Sequence, residues 1–82
     1  MGFRVTKSVY THQYRRFRAL LMEARRTAGL TQVELSVQLE RPQSFVSKVE
    51  RGERRLDVIE FLEIARVLRL DVVAFLHQLD AP

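Results

Sequence analysis

Residues 29 to 52 read GLTQVELSVQLERPQSFVSKVERG, and the punctuation within this stretch decides the fold. Gly29 can take the left-handed conformation that ends a helix without a Cβ penalty. Thr31 and Glu34 then stand at the spacing of a capping box, with Leu30 and Leu35 placed as a hydrophobic staple. The pattern predicts a helix starting at residue 32, with Leu35 and Leu39 facing inward. It ends near Glu40-Arg41-Pro42, because proline pushes the residue before it out of the helical region. Pro42 itself is tolerated in a first turn, where its missing N–H has no helical partner. A further helix is therefore expected from about Pro42, with Val46 and Val49 inward and Gly52 as its stop.

Working outward, Tyr14, Phe17, Leu21, Ala24 and Ala28 recur at the period of one buried helical stripe. They place a helix before Gly29, with Thr11 as its expected N-cap and residues 1–10 as an arm. Downstream, Asp57 and Glu60 repeat the capping box, and Leu56 and Phe61 repeat the staple. Val58, Leu62, Ala65 and Leu68 form the inward stripe of that helix. Asp71 is placed to cap a last helix carrying Val72, Val73, Phe75, Leu76 and Leu79, more apolar surface than one core stripe needs. No segment shows sustained strand alternation. The expectation is an all-α, compact five-helix domain over residues 11–80, and 82 residues suffice for one such domain.

Composition removes several function classes. The chain has no cysteine, so disulfides, thiolate metal sites and cysteine nucleophiles are absent together. No apolar run nears the roughly 18 residues of a membrane span, and MGFRVTKSVY does not resemble a secretory signal. A cytoplasmic protein is expected. His12 and His77 lie far apart without metal-ligand spacing, and no nucleophile–base–acid set can be assembled. Neither an enzyme nor a cofactor is expected.

The net charge of +4 is unevenly placed. Residues 1–55 hold twelve Lys/Arg against five Glu, whereas residues 56–82 hold two Arg against five acids. Twelve of the fourteen cations are Arg, whose planar fork suits phosphates and guanine edges. Charge alone fits a solvated basic face equally well, and Arg15, Arg16, Arg18 and Arg26 read as such a face.

Two short helices joined by so few residues must cross steeply, which is helix-turn-helix geometry. Between and before Val46 and Val49 lie Gln43, Ser44, Phe45, Ser47 and Lys48. Gln can bond adenine bidentately, Lys reaches guanine acceptors, Ser suits a base edge or a phosphate, and a phenyl ring can rest on a thymine methyl. Phe45 either contacts DNA in this way or folds back over the preceding helix; the first is the working expectation.

With these residues in place, the sequence resembles the lambda-repressor-like, or xenobiotic-response-element (XRE), helix-turn-helix family. The carriers are ARRTAGLTQVELS, PQSFVSKVERGERR, and Leu62, Ala65, Arg66 and Leu68. The resemblance implies that Gln43, Ser44, Phe45 and Lys48 read bases. Gln32, Ser47, Arg51, Arg54 and Arg55 would contact phosphates, Gln32 alternatively bracing the start of the reading helix. It also implies a structural ion pair between Arg25 and Glu50. Two positions depart from the family: Ser36 where a small alanine is usual, and Glu40 where the turn usually has glycine. A glutamate at positive φ costs about 1 kcal/mol, so the turn either bears that strain or differs.

The implied function is a transcriptional regulator, a repressor or autoregulator, that binds double-stranded DNA at a palindromic operator as a homodimer. Ile59, Phe75 and Leu79 are the expected dimer interface. The alternative is the antitoxin of a toxin–antitoxin pair, which binds both DNA and a partner protein. A non-specific nucleic-acid binder is a third reading.

Overall fold

The structure is a computed structural model that describes the backbone of residues 7–82 and the side chains from residue 11 onward. Five helices follow one another: α1 Lys7–Thr27, α2 Gln32–Gln38, α3 Phe45–Glu50, α4 Val58–Leu68 and α5 Val72–Asp80. There is no strand among the described residues. The all-α, five-helix expectation holds.

The caps form as their chemistry requires. Thr31 and Asp57 each accept a bond from the backbone N–H three residues on, and Glu34 and Glu60 return it to the cap N–H. Asp71 accepts from the Ala74 N–H at 3.0 Å. The first helix differs from expectation. It already runs from Lys7, so Thr11 lies inside it and is not its N-cap. Of the arm expected over residues 1–10, residues 7–10 are helix, and residues 1–6 lie outside the described residues.

The stops of α1 to α4 share one hydrogen-bond pattern. In each, two N–H groups beyond the last turn bond back across the helix end, as at Gly29 to Arg26 and Leu30 to Arg25. The pattern needs one residue at positive φ. Gly29 and Gly52 supply it for α1 and α3, and Glu40 (φ 56°) and Arg69 (φ 55°) for α2 and α4. Glu40 thus keeps the family turn and bears the left-handed strain.

The core is built by Leu21, Leu35, Phe45, Val46, Val49, Phe61, Ile64, Leu68 and Phe75, with Leu39 and Leu62 packed half-buried against it. Phe17, Phe61 and Phe75 meet with centroids 5.2 to 5.9 Å apart, the tilted and edge-on geometry that aromatic quadrupoles favour. Phe75 is therefore spent inside the domain, which corrects its placement in a dimer interface. Its spacing with Val72 and Leu79 already matches one inward stripe of α5.

Among the described residues, no helix is long and apolar enough to cross a membrane.

Candidate nucleic-acid interface

The placement of α3 is set by what holds it. Phe45, Val46, Val49 and Glu50 are buried, two adjacent pairs four residues apart that define one face of a helix. Ser44, Lys48 and Arg51, four and then three residues apart, lie on the other face and are exposed, with Gln43 exposed in the turn before them. The sequence-expected readers Gln43, Ser44 and Lys48 are thus presented outward. Phe45 is the exception. Its side chain points into the core, so it does not reach a base. Phe45 stands four residues before the buried Val49, so helical spacing puts its ring on the buried face. Pro42 to Ser44 form a turn closed by the Phe45 N–H to the Pro42 carbonyl at 2.9 Å, and Phe45 is the first helical residue.

Ser36, fully buried, ties the two helices of the motif. Its Oγ donates to the Gln32 carbonyl at 2.9 Å and accepts from the Val46 N–H at 3.1 Å. Ser44, at the N-cap position of α3, has helical dihedrals and makes no capping bond. The hydroxyl of Ser36 does part of that work from the neighbouring helix, which an alanine could not do.

The C-terminal end of α3 is locked by a second set of bonds. Arg25 Nε and Nη2 grip the two carboxylate oxygens of Glu50 at 2.7 and 3.1 Å, while Arg25 Nη1 donates to the Leu30 carbonyl at 2.8 Å. The expected ion pair is present and buried, with side-chain exposures of 9% and 4%. Gln32 Nε2 also donates to Glu50, at 2.8 Å. Gln32 therefore braces the last residue of α3 and not the first. Arg18 Nη1 donates to the Glu50 carbonyl at 3.0 Å, and a Cβ on Gly52 would come within 2.7 Å of that guanidinium. Gly52 is favoured by its φ of 82°, and a side chain there would also push the Arg18 guanidinium aside.

The N-terminal end of α3 carries a cluster that sequence reasoning missed. Arg54 binds Glu60 through both terminal nitrogens, at 2.8 and 2.6 Å. Arg41, in the turn, reaches Glu60 at 3.2 Å and Glu63 at 3.1 Å. Both guanidiniums lie over the Phe45 ring, each 4.9 Å from its centroid, within range of a cation–π attraction. Glu60 is also the return partner of the Asp57 cap, at 3.1 Å from its N–H. The Arg54 hydrogen bonds, together with the Asp57 N–H and Arg41 and against the effect of burial, lower its carboxyl from 4.5 to about 2. A cleft of about 250 Å³ is lined by Arg41, Pro42, Ser44, Phe45, Lys48 and Arg54, so the exposed expected readers Ser44 and Lys48 and the expected phosphate contact Arg54 share its walls.

The remaining expected contacts are less gathered. Arg51 pairs with Glu53 at 2.8 Å on the surface, and Ser47 Oγ donates to the Ser44 carbonyl at 3.0 Å. Arg55 stacks 4.1 Å over the Tyr14 ring, whose hydroxyl accepts from the Leu56 N–H. Of the supposed solvated arginines of α1, Arg18 caps α3 and Arg16 donates to the Gln78 carbonyl at 2.6 Å, fastening α5. Arg15 and Arg26 remain exposed.

A packed pair of short helices joined by a tight turn, the second buried on one side and polar on the other, with arginines at its rim, defines a DNA-binding helix-turn-helix domain. The model of a helix-turn-helix domain family matches residues 16–77. A solved structure described as an XRE-family like protein from Pseudomonas syringae pv. tomato str. DC3000 superposes with a TM-score of 0.85 at 51% identity, covering 92% of each chain. The chain belongs to this XRE-like helix-turn-helix family. No match is found among curated proteins.

Proposed function

We propose that the chain is a sequence-specific transcriptional regulator, a repressor or autoregulator, that binds a roughly palindromic operator as a homodimer in the cytoplasm, without catalysis or cofactor. The observation that carries this reading is the exposed set Gln43, Ser44 and Lys48, in the turn before, at the N-cap of and on a helix whose other face is committed to the core. A rigid helix with free polar side chains is what readout of major-groove edges needs. Gln43, Ser44 and Lys48 then read bases, while Arg54, Arg55, Arg51 and Ser47 face the backbone.

One such helix makes few base contacts, and a dimer that places two of them about 34 Å apart doubles the number. With Phe75 inside the core, the apolar positions that α4 and α5 leave for self-association are Val58 and Ile59, with Val73, Leu76 and the half-buried Leu79; Val33 and Val37 of α2 are exposed as well. Sedimentation tests this: a chain that stays monomeric with and without DNA overturns the dimer and favours the antitoxin reading, in which that surface holds another protein.

Selection of bound duplexes from a random pool tests the whole reading, with a symmetric consensus expected. Gln43→Ala should then lose about 1–3 kcal/mol on that site and relax one position. Equal affinity of parent and variant for selected and random DNA removes specific readout by Gln43.

A further inference from the structure

We infer that Arg41, which neither the family resemblance nor its position in the turn assigns to DNA, is a further phosphate contact of the operator complex, presented together with Arg54 in the cleft beside Lys48. The inference rests on the DNA-binding reading above and adds a ligand group and a residue to it.

Three cations, Arg41, Lys48 and Arg54, line this cleft, and two carboxylates, Glu60 and Glu63, reach into its arginines. The cleft therefore keeps a positive balance, and a mobile anion has one site of surplus charge to fill. The carboxylates also aim the guanidiniums. Arg41 spends one bond on each acid, Arg54 spends two on Glu60, and the Phe45 ring supports both. Each guanidinium has five N–H donors, so donors remain for a phosphate oxygen without dismantling the network. Access is open as well: the Arg41 and Arg54 side chains are 29% and 40% exposed. An arginine held in place in advance loses less conformational freedom on binding than a free one.

The acids make the test decisive, because Arg41 and Glu63 form one ion pair yet have opposite expected effects on DNA. The full-length chain is titrated with a short random-sequence duplex by fluorescence anisotropy between about 50 and 200 mM salt. Arg41→Gln should make the slope of log affinity against log salt shallower by about 0.9, the loss of one neutralised phosphate, which is about eightfold in affinity at 0.1 M salt. Glu63→Gln should tighten binding by about twofold, as expected for removing a unit charge some 8 Å from the anion in water. If Arg41 only ties the turn to α4, both variants lower the melting temperature and neither changes the slope. Arg41→Gln with an unchanged slope, or the two variants shifting affinity in the same direction, overturns the inference while leaving the regulator intact. A parent chain that binds no duplex overturns both.

Discussion

Helix α3 is braced at each end by an arginine–glutamate cluster, and the two are built differently. At the C-terminal end Arg25 and Glu50 are dry, matched in geometry, and supplemented by Gln32. At the N-terminal end Arg41 and Arg54 share Glu60, partly exposed, against one aromatic ring. A buried pair is a fixed strut, because breaking it strands a charge away from water. A half-exposed cluster costs little to open, since its members regain solvent. The first suits holding α3 to α1 through every state of the protein. The second suits holding cations where an incoming anion can still reach them.

Removing one acid from each cluster should separate them. Glu50→Ala leaves Arg25 buried without its partner and should cost about 3–5 kcal/mol in chemical denaturation. The comparison breaks if Glu60→Ala, which loses the Asp57 cap partner and frees two half-exposed arginines, costs as much. Its expected cost is about 1–2 kcal/mol. Between them lies an uncharged tie. Ser36→Ala strands the buried Val46 N–H and should cost about 1–3 kcal/mol. A neutral result there would mean that α3 shifts to satisfy the N–H elsewhere.

The two clusters also differ in how visible they are from sequence. Caps at Thr31, Asp57 and Asp71 and stops at Gly29 and Gly52 are legible because each depends on residues within a few positions of one another. Arg25 and Glu50 were identified through family resemblance, their separation of 25 residues carrying no local signal. Glu60 was read only as a capping residue, and Arg41 only as the residue before a proline; their meeting across 19 positions depends on the packing of α4 against the turn. Phe45 was legible but misplaced: it stands four residues before Val49, so helical spacing puts its ring on the buried face, whereas the DNA contact was expected from the chemistry of a phenyl ring on a thymine methyl. Ser44 and Lys48 stayed legible because exposure opposite Val46 and Val49 follows from helical period, whereas Gln43 is exposed because it stands in the turn before α3.

The smallest expected effect is a dependence on acid, and it asks whether the N-terminal cluster acts as a unit in solution. The folded state holds the Glu60 carboxyl at about 2, below its ordinary 4.5, so between those values the unfolded chain binds the proton more readily. The stabilisation from this carboxylate is therefore fully present above about pH 5 and lost progressively as pH falls toward 2. Acid also raises the positive charge of the whole chain, so the parent alone cannot isolate the effect. Glu60→Gln can, because the amide keeps an acceptor for the Asp57 N–H but carries no titrating charge for Arg54 and Arg41. The difference in unfolding free energy between parent and Glu60→Gln should be constant at neutral pH and shrink as pH falls from about 5 to 3. A difference for Glu60→Gln that stays flat down to pH 3 would mean that the two arginines do not hold the carboxylate in solution, and the N-terminal cluster would then be two loose surface pairs rather than a counterpart to Arg25 and Glu50.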